Sequence, residues 1–196
     1  MNKAFTLVEL IVVISIVALL SMLGLSTYST VQEDARNSVR KSDLKEMQKA
    51  LEIYKNERGE YPNTKNAGGN PQWYGMCNHP WGKGNLSDTG AGGFIPDLAP
   101  NYMQRLPADP RSSIANSSSA SSGCQTNAEY NCYLYKSDGV DYKLLAHCTP
   151  ESEMQTTDPF FDPCRPTWAW QVSSSSLRRG VLNGAGTGCV SGGTGW

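Results

Sequence analysis

Phe5-Thr-Leu-Val-Glu-Leu-Ile-Val-Val-Ile-Ser-Ile-Val-Ala-Leu-Leu-Ser-Met-Leu-Gly-Leu25 decides the fold of this chain, because it is a long apolar run in which Glu9 is the only charged residue. A helix of about 21 residues, at a rise of roughly 1.5 Å per residue, spans the hydrocarbon core of a bilayer. We therefore predict a transmembrane helix over residues 5–25. A carboxylate inside such a helix costs roughly 2.5–3.5 kcal/mol and usually survives where a partner or a function offsets that cost. Glu9 is thus a candidate functional residue.

The four residues before this run form a short polar leader. The segment 1–4 contains one charged side chain, Lys3. Because Lys and Arg favour the cytoplasmic side of a membrane, we expect the leader in the cytoplasm and the chain beyond Leu25 on the outer side. A removable secretory signal has an apolar stretch of roughly 7–15 residues followed by a small-residue cleavage site. The stretch found here is longer, and Ser26-Thr27-Tyr28 is a poor site of that kind.

The leader and the start of the apolar run together resemble a known type of N-terminus. Lys3-Ala4-Phe5-Thr6-Leu7-Val8-Glu9-Leu10 is similar to the first residues of type IV pilins and type II secretion pseudopilins. The resemblance implies that a prepilin peptidase/methyltransferase cleaves between Ala4 and Phe5 and methylates the new amino terminus at Phe5. The family usually has Gly before the cut, where this chain has Ala4. Since Ala is the smallest chiral replacement, we expect cleavage to persist.

The same resemblance gives Glu9 a partner. In assembled filaments of this class, the equivalent Glu is thought to meet the free α-amine of a neighbouring subunit, which here is that of Phe5. Two unit charges about 4 Å apart attract by roughly 4 kcal/mol at an effective dielectric of 20, which is the order of the insertion cost. We therefore predict that Glu9 acts in assembly. The alternative is a signal-anchor helix in which Glu9 lies near the lipid headgroups and has no function.

The helical pattern continues beyond the apolar run. Apolar residues recur at helical spacing at Val31, Ala35, Val39, Leu44, Met47, Leu51 and Tyr54. Such a stripe predicts an amphipathic helix with one face packed on a domain. Gly59 and Pro62 predict the end of this helix. We assign residues 26–60 to this continuation, and the alternative is a membrane protein with a simple helical stalk.

The rest of the chain, residues 61–196, changes composition and forms a predicted globular head. It is rich in Gly, Pro, Ser and Thr, with scattered short apolar runs that favour short strands and long loops. Two strands are predicted at Tyr130–Lys136 and Asp141–His147, joined by a tight turn at Asp138-Gly139. The predicted fold class is α+β: a long N-terminal helix, transmembrane in its first half and amphipathic in its second, packs on a small antiparallel sheet with long loops. This architecture is pilin-like.

The head carries a second resemblance. Leu106-Pro107-Ala108-Asp109-Pro110, followed by the hairpin, resembles the core of pseudopilin heads. Some pseudopilins of this group bind calcium in a loop after the last strand, but the corresponding residues 147–153 lack their aspartate pattern. Glu151, Glu153 and Asp158 offer the oxygen ligands that calcium prefers, although we favour their interpretation as exposed loop acids. We predict no metal and no cofactor.

Six cysteines lie on the predicted outer side of the membrane: Cys77, Cys124, Cys132, Cys148, Cys164 and Cys189. An even number of cysteines outside the reducing cytosol predicts disulfides. Zinc is the competing interpretation, but the sequence has no Cys-x-x-Cys pair. The sequence does not choose among the possible pairings. As a working hypothesis we pair the neighbours Cys124 with Cys132 and Cys148 with Cys164, which leaves Cys77 with Cys189.

Little in the sequence supports catalysis. His79 lies close to Cys77 and could serve a thiol nucleophile as a base, but a disulfide would remove the thiol. The segment 82–85, Gly-Lys-Gly-Asn, lacks the length and the Lys-Ser/Thr ending of a phosphate-binding loop. We predict that the chain is not an enzyme. A net charge of −1 provides no general attraction for nucleic acid, so we expect no specific nucleic-acid partner.

The combined features predict a structural subunit of a type IV pilus. The chain would lie as a single-pass protein in the lipid of the inner membrane, and the inner-membrane assembly platform would polymerise it into an extracellular helical filament of identical subunits. The absent calcium aspartates, the six cysteines and the long C-terminal extension favour this hypothesis. The major pseudopilin of a type II secretion system, forming a periplasmic pseudopilus, is the alternative that Leu106–Pro110 favours. A membrane-anchored extracellular enzyme or adhesin is the remaining alternative.

Overall fold

The computed structural model covers the N-terminal helix and most of the head. The described residues are 6–77, 79, 82–112, 132–148, 151, 154–166 and 169–174, and the description of residues 23–27 is limited to the backbone. Outside these residues lie the predicted cleavage site at Ala4 and Phe5, together with Cys124, Cys189 and Glu153. The chain forms two compact units, which divide between Arg36 and Asn37.

A single helix, α1 (Leu7–Arg58), covers both predicted helical segments. It ends where the sequence predicts. Gly59 adopts a φ of 83°, which Gly tolerates because it has no Cβ, and its N–H donates to the carbonyl of Lys55 at 2.8 Å. Pro62 follows shortly afterwards, where a residue without an N–H cannot continue the helix.

In the head unit one face of α1 is buried, but this face differs from the predicted stripe. Leu44 and Met47 are fully buried, as the pattern predicts. Three other predicted positions are exposed instead: Val39 in the head unit, and Val31 and Ala35 in the first unit. The buried face continues toward the N-terminus through Arg40 and Asn37, which stand at three- and four-residue steps from Leu44. The prediction was wrong there because it assumed that a buried helix position must be apolar.

In the first unit, α1 exposes its large apolar side chains. Among residues 7–22, their exposed fraction ranges from 49% at Ile11 to 77% at Met22. No helix in the described part of the chain combines the length and the apolarity needed to cross a bilayer. The transmembrane segment over residues 5–25 stays a prediction.

The head contains a five-stranded sheet with the spatial order β2-β1-β3-β4-β5. Its strands are β1 (Trp73–Gly75), β2 (Gly82–Lys83), β3 (Cys132–Ser137), β4 (Tyr142–His147) and β5 (Ala169–Ser173). β1 and β2 are parallel, whereas the other neighbouring strands are antiparallel. The α+β class is therefore confirmed, but the sheet is mixed and not antiparallel throughout.

The predicted hairpin is present as β3 and β4, which pair in continuous register from Cys132 opposite His147 to Ser137 opposite Tyr142. The turn between them is held by Asp138, whose Oδ1 accepts hydrogen bonds from the N–H groups of Val140 at 2.9 Å and Asp141 at 2.8 Å. Gly139 takes a φ of 92°, a conformation that suits Gly. The Asp-Gly signal in the sequence was therefore sufficient to find this turn.

Both faces of the sheet are buried at β1, β3, β4 and β5, whereas β2 is exposed. On the face that packs against α1, Tyr133 and Tyr135 join Leu44, Met47 and Leu51 in the main core. Residues that alternate with these tyrosines form a second, smaller cluster on the other face: Trp73, Cys77, Cys132, Leu134 and Leu145. Side chains along β3 thus alternate between the two faces, and loops of the head cover the second face as well.

Candidate functional site

Glu9 lies in the first turn of α1, where it forms a capping box with Thr6. The backbone N–H and the hydroxyl of Thr6 both donate to Oε2 of Glu9 at 2.9 Å, and the N–H of Glu9 donates to Oγ1 of Thr6 at 3.3 Å. This reciprocal arrangement satisfies N–H groups that the start of a helix leaves without a partner. This capping box was not predicted, although Thr-x-x-Glu at a helix start is a recognised signal.

The capping box gives the Glu9 carboxylate a partner within its own chain. A negative charge in the first turn also interacts favourably with the helix dipole. The predicted partner, the α-amine of Phe5 in a neighbouring subunit, lies outside the described residues, as do the cleavage and methylation positions Ala4 and Phe5. Glu9 is therefore held close to the helix N-terminus, and its contact with another subunit stays a prediction.

The surface around Glu9 is apolar on every side of the helix. Leu7, Val8 and Leu10 are exposed by 73%, 68% and 61%. The hydroxyl groups within this segment are satisfied by the helix itself: Ser15 donates to the Ile11 carbonyl at 2.7 Å and Ser21 to the Val17 carbonyl at 2.8 Å. The segment therefore presents few unsatisfied polar groups to an apolar neighbour. An exposed apolar surface of this kind is typical of a site that binds lipid or other helices.

In the head, a buried ion cluster fixes the loop of Leu106–Pro110 to α1. Arg40, which is fully buried, donates through Nε and Nη2 to the two oxygens of Asp109 at 2.7 and 3.2 Å. Its Nη1 donates to Glu151 at 2.7 Å and to the side chain of Asn37 at 2.9 Å. Arg111 completes the cluster with a contact of 3.1 Å to Glu151.

The charges of this cluster balance, since the guanidinium groups of Arg40 and Arg111 face the carboxylates of Asp109 and Glu151. Burial by itself lowers the pKa of Arg40, but the two carboxylates outweigh burial and the pKa is raised. The cluster is therefore a charged anchor between helix and loop. Because every member has a partner, it has no free group for a ligand.

The acidic residues considered for calcium serve as ion-pair partners. Glu151 belongs to the Arg40 cluster, and Asp158 pairs with Lys41 of α1. Their side chains are exposed by only 9% and 15%, so the interpretation as exposed loop acids was wrong for both. Among the described residues, no group of His, Cys, Asp or Glu is arranged to hold a metal ion.

One disulfide links the first strand region to the hairpin. Cys77, just after β1, is bonded to Cys132 at the start of β3. The working hypothesis was therefore wrong in pairing Cys132 with Cys124 and Cys77 with Cys189. Cys148 and Cys164 are each in a disulfide as well, and their pairing with each other stays a prediction. The bond removes the thiol of Cys77, so Cys77 and His79 do not form a nucleophile and base pair.

A second group of buried charges lies on the far face of the sheet. The ammonium of Lys143 contacts Asp162 at 3.1 Å, and Arg165 contacts the same carboxylate at 3.0 Å. Burial lowers the pKa of Lys143 to about 8, against the opposing effect of Asp162. Lys136, on the neighbouring strand, lies 5.6 Å from the ring centre of Trp73. The burial of these lysines was not predicted, because alternation along a strand usually places such residues in solvent.

Comparison with known proteins adds one finding. Neither the curated proteins nor the solved structures provide a match to this chain. Residues 1–25 match the family model described as the prokaryotic N-terminal methylation motif. The match includes Ala4, Phe5, Thr6 and Glu9. The chain therefore carries the N-terminal signature of type IV pilins and pseudopilins.

Proposed function

We propose that this protein is the structural subunit of a type IV pilus. In this proposal the precursor lies in the inner membrane, is cleaved after Ala4 and methylated at Phe5, and then polymerises through α1 into an extracellular filament. The match of residues 1–25 to the N-terminal methylation motif carries the proposal. The exposed apolar side chains of residues 7–22 support it, because such a surface needs lipid before assembly and other helices afterwards.

The capping box suggests how Glu9 is prepared for its role. Thr6 and Glu9 both lie after the proposed cleavage site, so the box is retained when the leader is removed. The box holds the carboxylate beside the first turn, which is the end of the helix that carries the new α-amine of Phe5. Thr6 then acts as a positioning residue, and Glu9 supplies the charge that attracts the amine of the next subunit.

The processing step is tested on filaments sheared from cells. Intact mass and N-terminal sequencing should find N-methylated Phe5 as the first residue. Ala4→Gly is a matched variant with the residue that the family usually has before the cut, and it should be processed at least as fast as the original chain. Filaments whose subunits begin at Met1 would contradict the proposal.

The role of Glu9 is tested by removing its charge and its positioning partner separately. Glu9→Ala should insert and be cleaved but assemble poorly, whereas Thr6→Ala, which keeps the carboxylate, should reduce filament yield less. Glu33→Ala removes a carboxylate from the same helix and serves as the control with normal filaments. If Glu9→Ala and Thr6→Ala reduce assembly equally, Glu9 acts only as a helix cap. Normal filaments from Glu9→Ala would refute the pairing with Phe5.

The major pseudopilin of a type II secretion system is a second candidate with the same processing and assembly. Its specific support is the loop at Leu106–Pro110, which Arg40 anchors next to the hairpin and which resembles the loop of pseudopilin heads. Deletion of the coding sequence distinguishes the two. Loss of surface pili with normal protein secretion supports the pilus. Retention of pili with loss of secreted proteins from the medium supports the pseudopilus and rejects the pilus.

A further inference from the structure

The chain has two histidines, and each lies close to a cysteine along the sequence. His79 comes two residues after Cys77, and His147 comes directly before Cys148. Both of these cysteines are in disulfides. The two disulfides differ in their exposure and in the groups that contact them, and so in the chemistry that is open to them.

The bond between Cys77 and Cys132 is enclosed by apolar side chains. The two residues are only 5% and 1% exposed, and they belong to the small cluster that also contains Trp73, Leu134 and Leu145. Exchange of a disulfide requires a thiolate to approach one of its sulfur atoms, so access limits the rate. An external thiolate does not reach these sulfur atoms unless the head opens. This disulfide is therefore a protected, structural crosslink.

The disulfide of Cys148 is more accessible and has an imidazole beside it. Cys148 follows the last residue of β4 and is half-buried, whereas His147 is fully buried. The Sγ atom of Cys148 lies 3.8 Å from Nε2 of His147, which is within hydrogen-bond reach for a sulfur atom. An imidazole in this position stabilises the thiolate that forms when the bond breaks, and a better leaving thiolate speeds exchange.

The contact between these two neighbouring side chains depends on an unusual backbone conformation. Successive residues of a strand point to opposite faces of the sheet, so His147 and Cys148 would ordinarily be kept apart. Cys148 instead takes a φ of 59°, in the left-handed region, and its sulfur lies against the imidazole. In the described part of the chain, the other residues besides Gly with a positive φ are Asn85 and Asp97, which are residue types that favour this region. Cys148 is therefore held in a disfavoured conformation that preserves the contact between sulfur and imidazole.

The imidazole itself is fixed by the sheet. His147 stands opposite Cys132 of β3 and opposite Ala169 of β5. Because directly opposite residues point to the same face, the side chain of His147 lies on the same face as that of Cys132. A hydrogen-bond donor that is already in place needs no rearrangement when negative charge develops on the sulfur of Cys148.

We propose that Cys148 is a thiol–disulfide exchange site, at which an external thiolate opens the disulfide of Cys148 and His147 stabilises the departing sulfur. The thiolate attacks the other sulfur of the bond and forms a new S–S bond with it, while the electron pair of the broken bond leaves on Sγ of Cys148. A second external thiolate then attacks this mixed disulfide. Two external thiols are thereby oxidised to one disulfide, and the protein disulfide is reduced to two thiols. The thiolate comes from a small thiol or from the Cys-x-x-Cys centre of a protein oxidoreductase, which share this chemistry.

The test uses the oxidised full-length chain in detergent micelles, with reduced glutathione in one arm and reduced thioredoxin in the other. Samples are quenched with N-ethylmaleimide at intervals, and tandem mass spectrometry of peptides follows each cysteine. Cys148 should become alkylated at least about tenfold faster than Cys77 and Cys132, because those two sulfur atoms are enclosed. With glutathione, Cys148 should be recovered as the alkylated thiol, and glutathione should be attached to the cysteine that was bonded to it. Exchange in both arms identifies a site open to small thiols, whereas exchange with thioredoxin alone identifies a site for a protein partner.

Two variants and one control assign the effect to the imidazole. His147→Leu removes the donor and should slow the opening of the Cys148 disulfide about three- to tenfold. His147→Gln keeps an N–H donor near the position of Nε2 and should retain most of the original rate. His79→Leu changes the other buried histidine and should leave the rate at Cys148 unchanged. Urea unfolding shows that each variant is folded, and His147→Phe replaces His147→Leu if the latter does not fold.

Several results would overturn the proposal. These are opening of the bond between Cys77 and Cys132 as fast as that of Cys148, or recovery of glutathione on Cys148 itself. Equal slowing by His147→Leu and His147→Gln would show that the imidazole acts only through packing. An equal effect of His79→Leu would show a general loosening of the head instead. Because the assay follows the dispersed chain, its outcome does not depend on whether the protein forms a pilus.

Discussion

The first turns of α1 expose large apolar side chains, whereas the head buries charged ones. Residues 7–22 hold their large apolar side chains in the open, with Met22 exposed by 77%. The head instead buries charged groups, among them Arg40 and Asp162, which are both fully enclosed. Arg40 meets Asp109 and Glu151, and Asp162 meets Lys143 and Arg165.

This contrast shows which region is stabilised by contacts within its own chain. A buried charge is tolerated where counter-charges and hydrogen bonds replace water, and the Arg40 cluster supplies both. Exposed apolar surface on the scale of residues 7–22 has no such internal compensation and requires a neighbour outside the chain. The head should therefore depend on its own contacts for stability, whereas the first part of α1 should depend on lipid or on other subunits.

The largest expected effect comes from breaking the Arg40 cluster. Arg40→Met should lower the free energy of unfolding by about 3–5 kcal/mol, because it leaves Asp109 buried without a counter-charge and removes one of the two cations that contact Glu151. Urea unfolding of the full-length chain in micelles, followed by tryptophan fluorescence, measures the change. Arg111→Met, at the exposed end of the cluster, should cost no more than about 1 kcal/mol.

A combined variant tests whether the lost charge balance is the cause. Adding Asp109→Asn and Glu151→Gln to Arg40→Met removes the unpaired charges and should recover part of the lost stability. If the triple variant is less stable than Arg40→Met by the sum of the separate effects of Asp109→Asn and Glu151→Gln, the loss is explained by packing of the arginine and not by charge balance.

Loss of the disulfide between Cys77 and Cys132 should have the next largest effect on the stability of the head. Replacement of both Cys77 and Cys132 by Ser opens a loop with a sequence separation of 55 residues. The free energy of unfolding should fall by about 2–4 kcal/mol, chiefly because the unfolded chain gains conformational freedom. The comparison is made by the same urea titration, with added reductant as a check on the original chain. An unchanged midpoint would show that this crosslink does not contribute to the stability of the head.

Buried Lys143 should give a pH-dependent effect of intermediate size. Because its pKa in the folded protein is about 8 and its ordinary value is 10.5, the unfolded state binds more protons between these two values. The free energy of unfolding should therefore rise with pH from about 8 upward, by at most about 1.4 kcal/mol per pH unit from this group. Lys143→Met should reduce this slope between about pH 7.5 and 9.5. An identical slope in both proteins would contradict the assignment.

The smallest effect on the head should come from a polar substitution in the exposed apolar segment. Ile14→Asn should change the free energy of unfolding of the head by less than about 0.5 kcal/mol, because Ile14 is exposed by 57%. The same variant should reduce filament yield, which sedimentation of sheared material measures. Ile95→Asn provides the matched control, since Ile95 is fully buried in the head core and its replacement should destabilise the head strongly. A large loss of head stability in Ile14→Asn would show that the exposed apolar segment also stabilises the head, which would contradict the difference between the two regions.

Local signals in the sequence were sufficient for several parts of the structure. Gly59 and Pro62 end α1, and Asp138-Gly139 forms the turn of the hairpin. Such features depend on the conformations open to a few adjacent residues, so they are readable without the rest of the chain. The Thr6 and Glu9 capping box belongs to the same class, although its signal was overlooked.

Other elements lacked a readable local signal. β2 consists of only Gly82 and Lys83, and it exists as a strand because it pairs with β1. Neither β1 nor β5 was predicted, since short runs such as Ala169–Ser173 do not distinguish a strand from a loop until a neighbour pairs with them. The position of β5 at one end of the sheet was therefore not predictable from the sequence.

By itself the sequence determined the long N-terminal helix, its apolar first half with Glu9, its end at Gly59 and the central hairpin, because periodicity and turn chemistry act over a few residues. Which polar residues are buried together and which cysteines pair depends on contacts between distant parts of the chain. Arg40 meets Asp109 across a separation of 69 residues and Glu151 across 111, and Cys77 meets Cys132 across 55. Contacts at such separations depend on how the whole head packs, which no local pattern specifies.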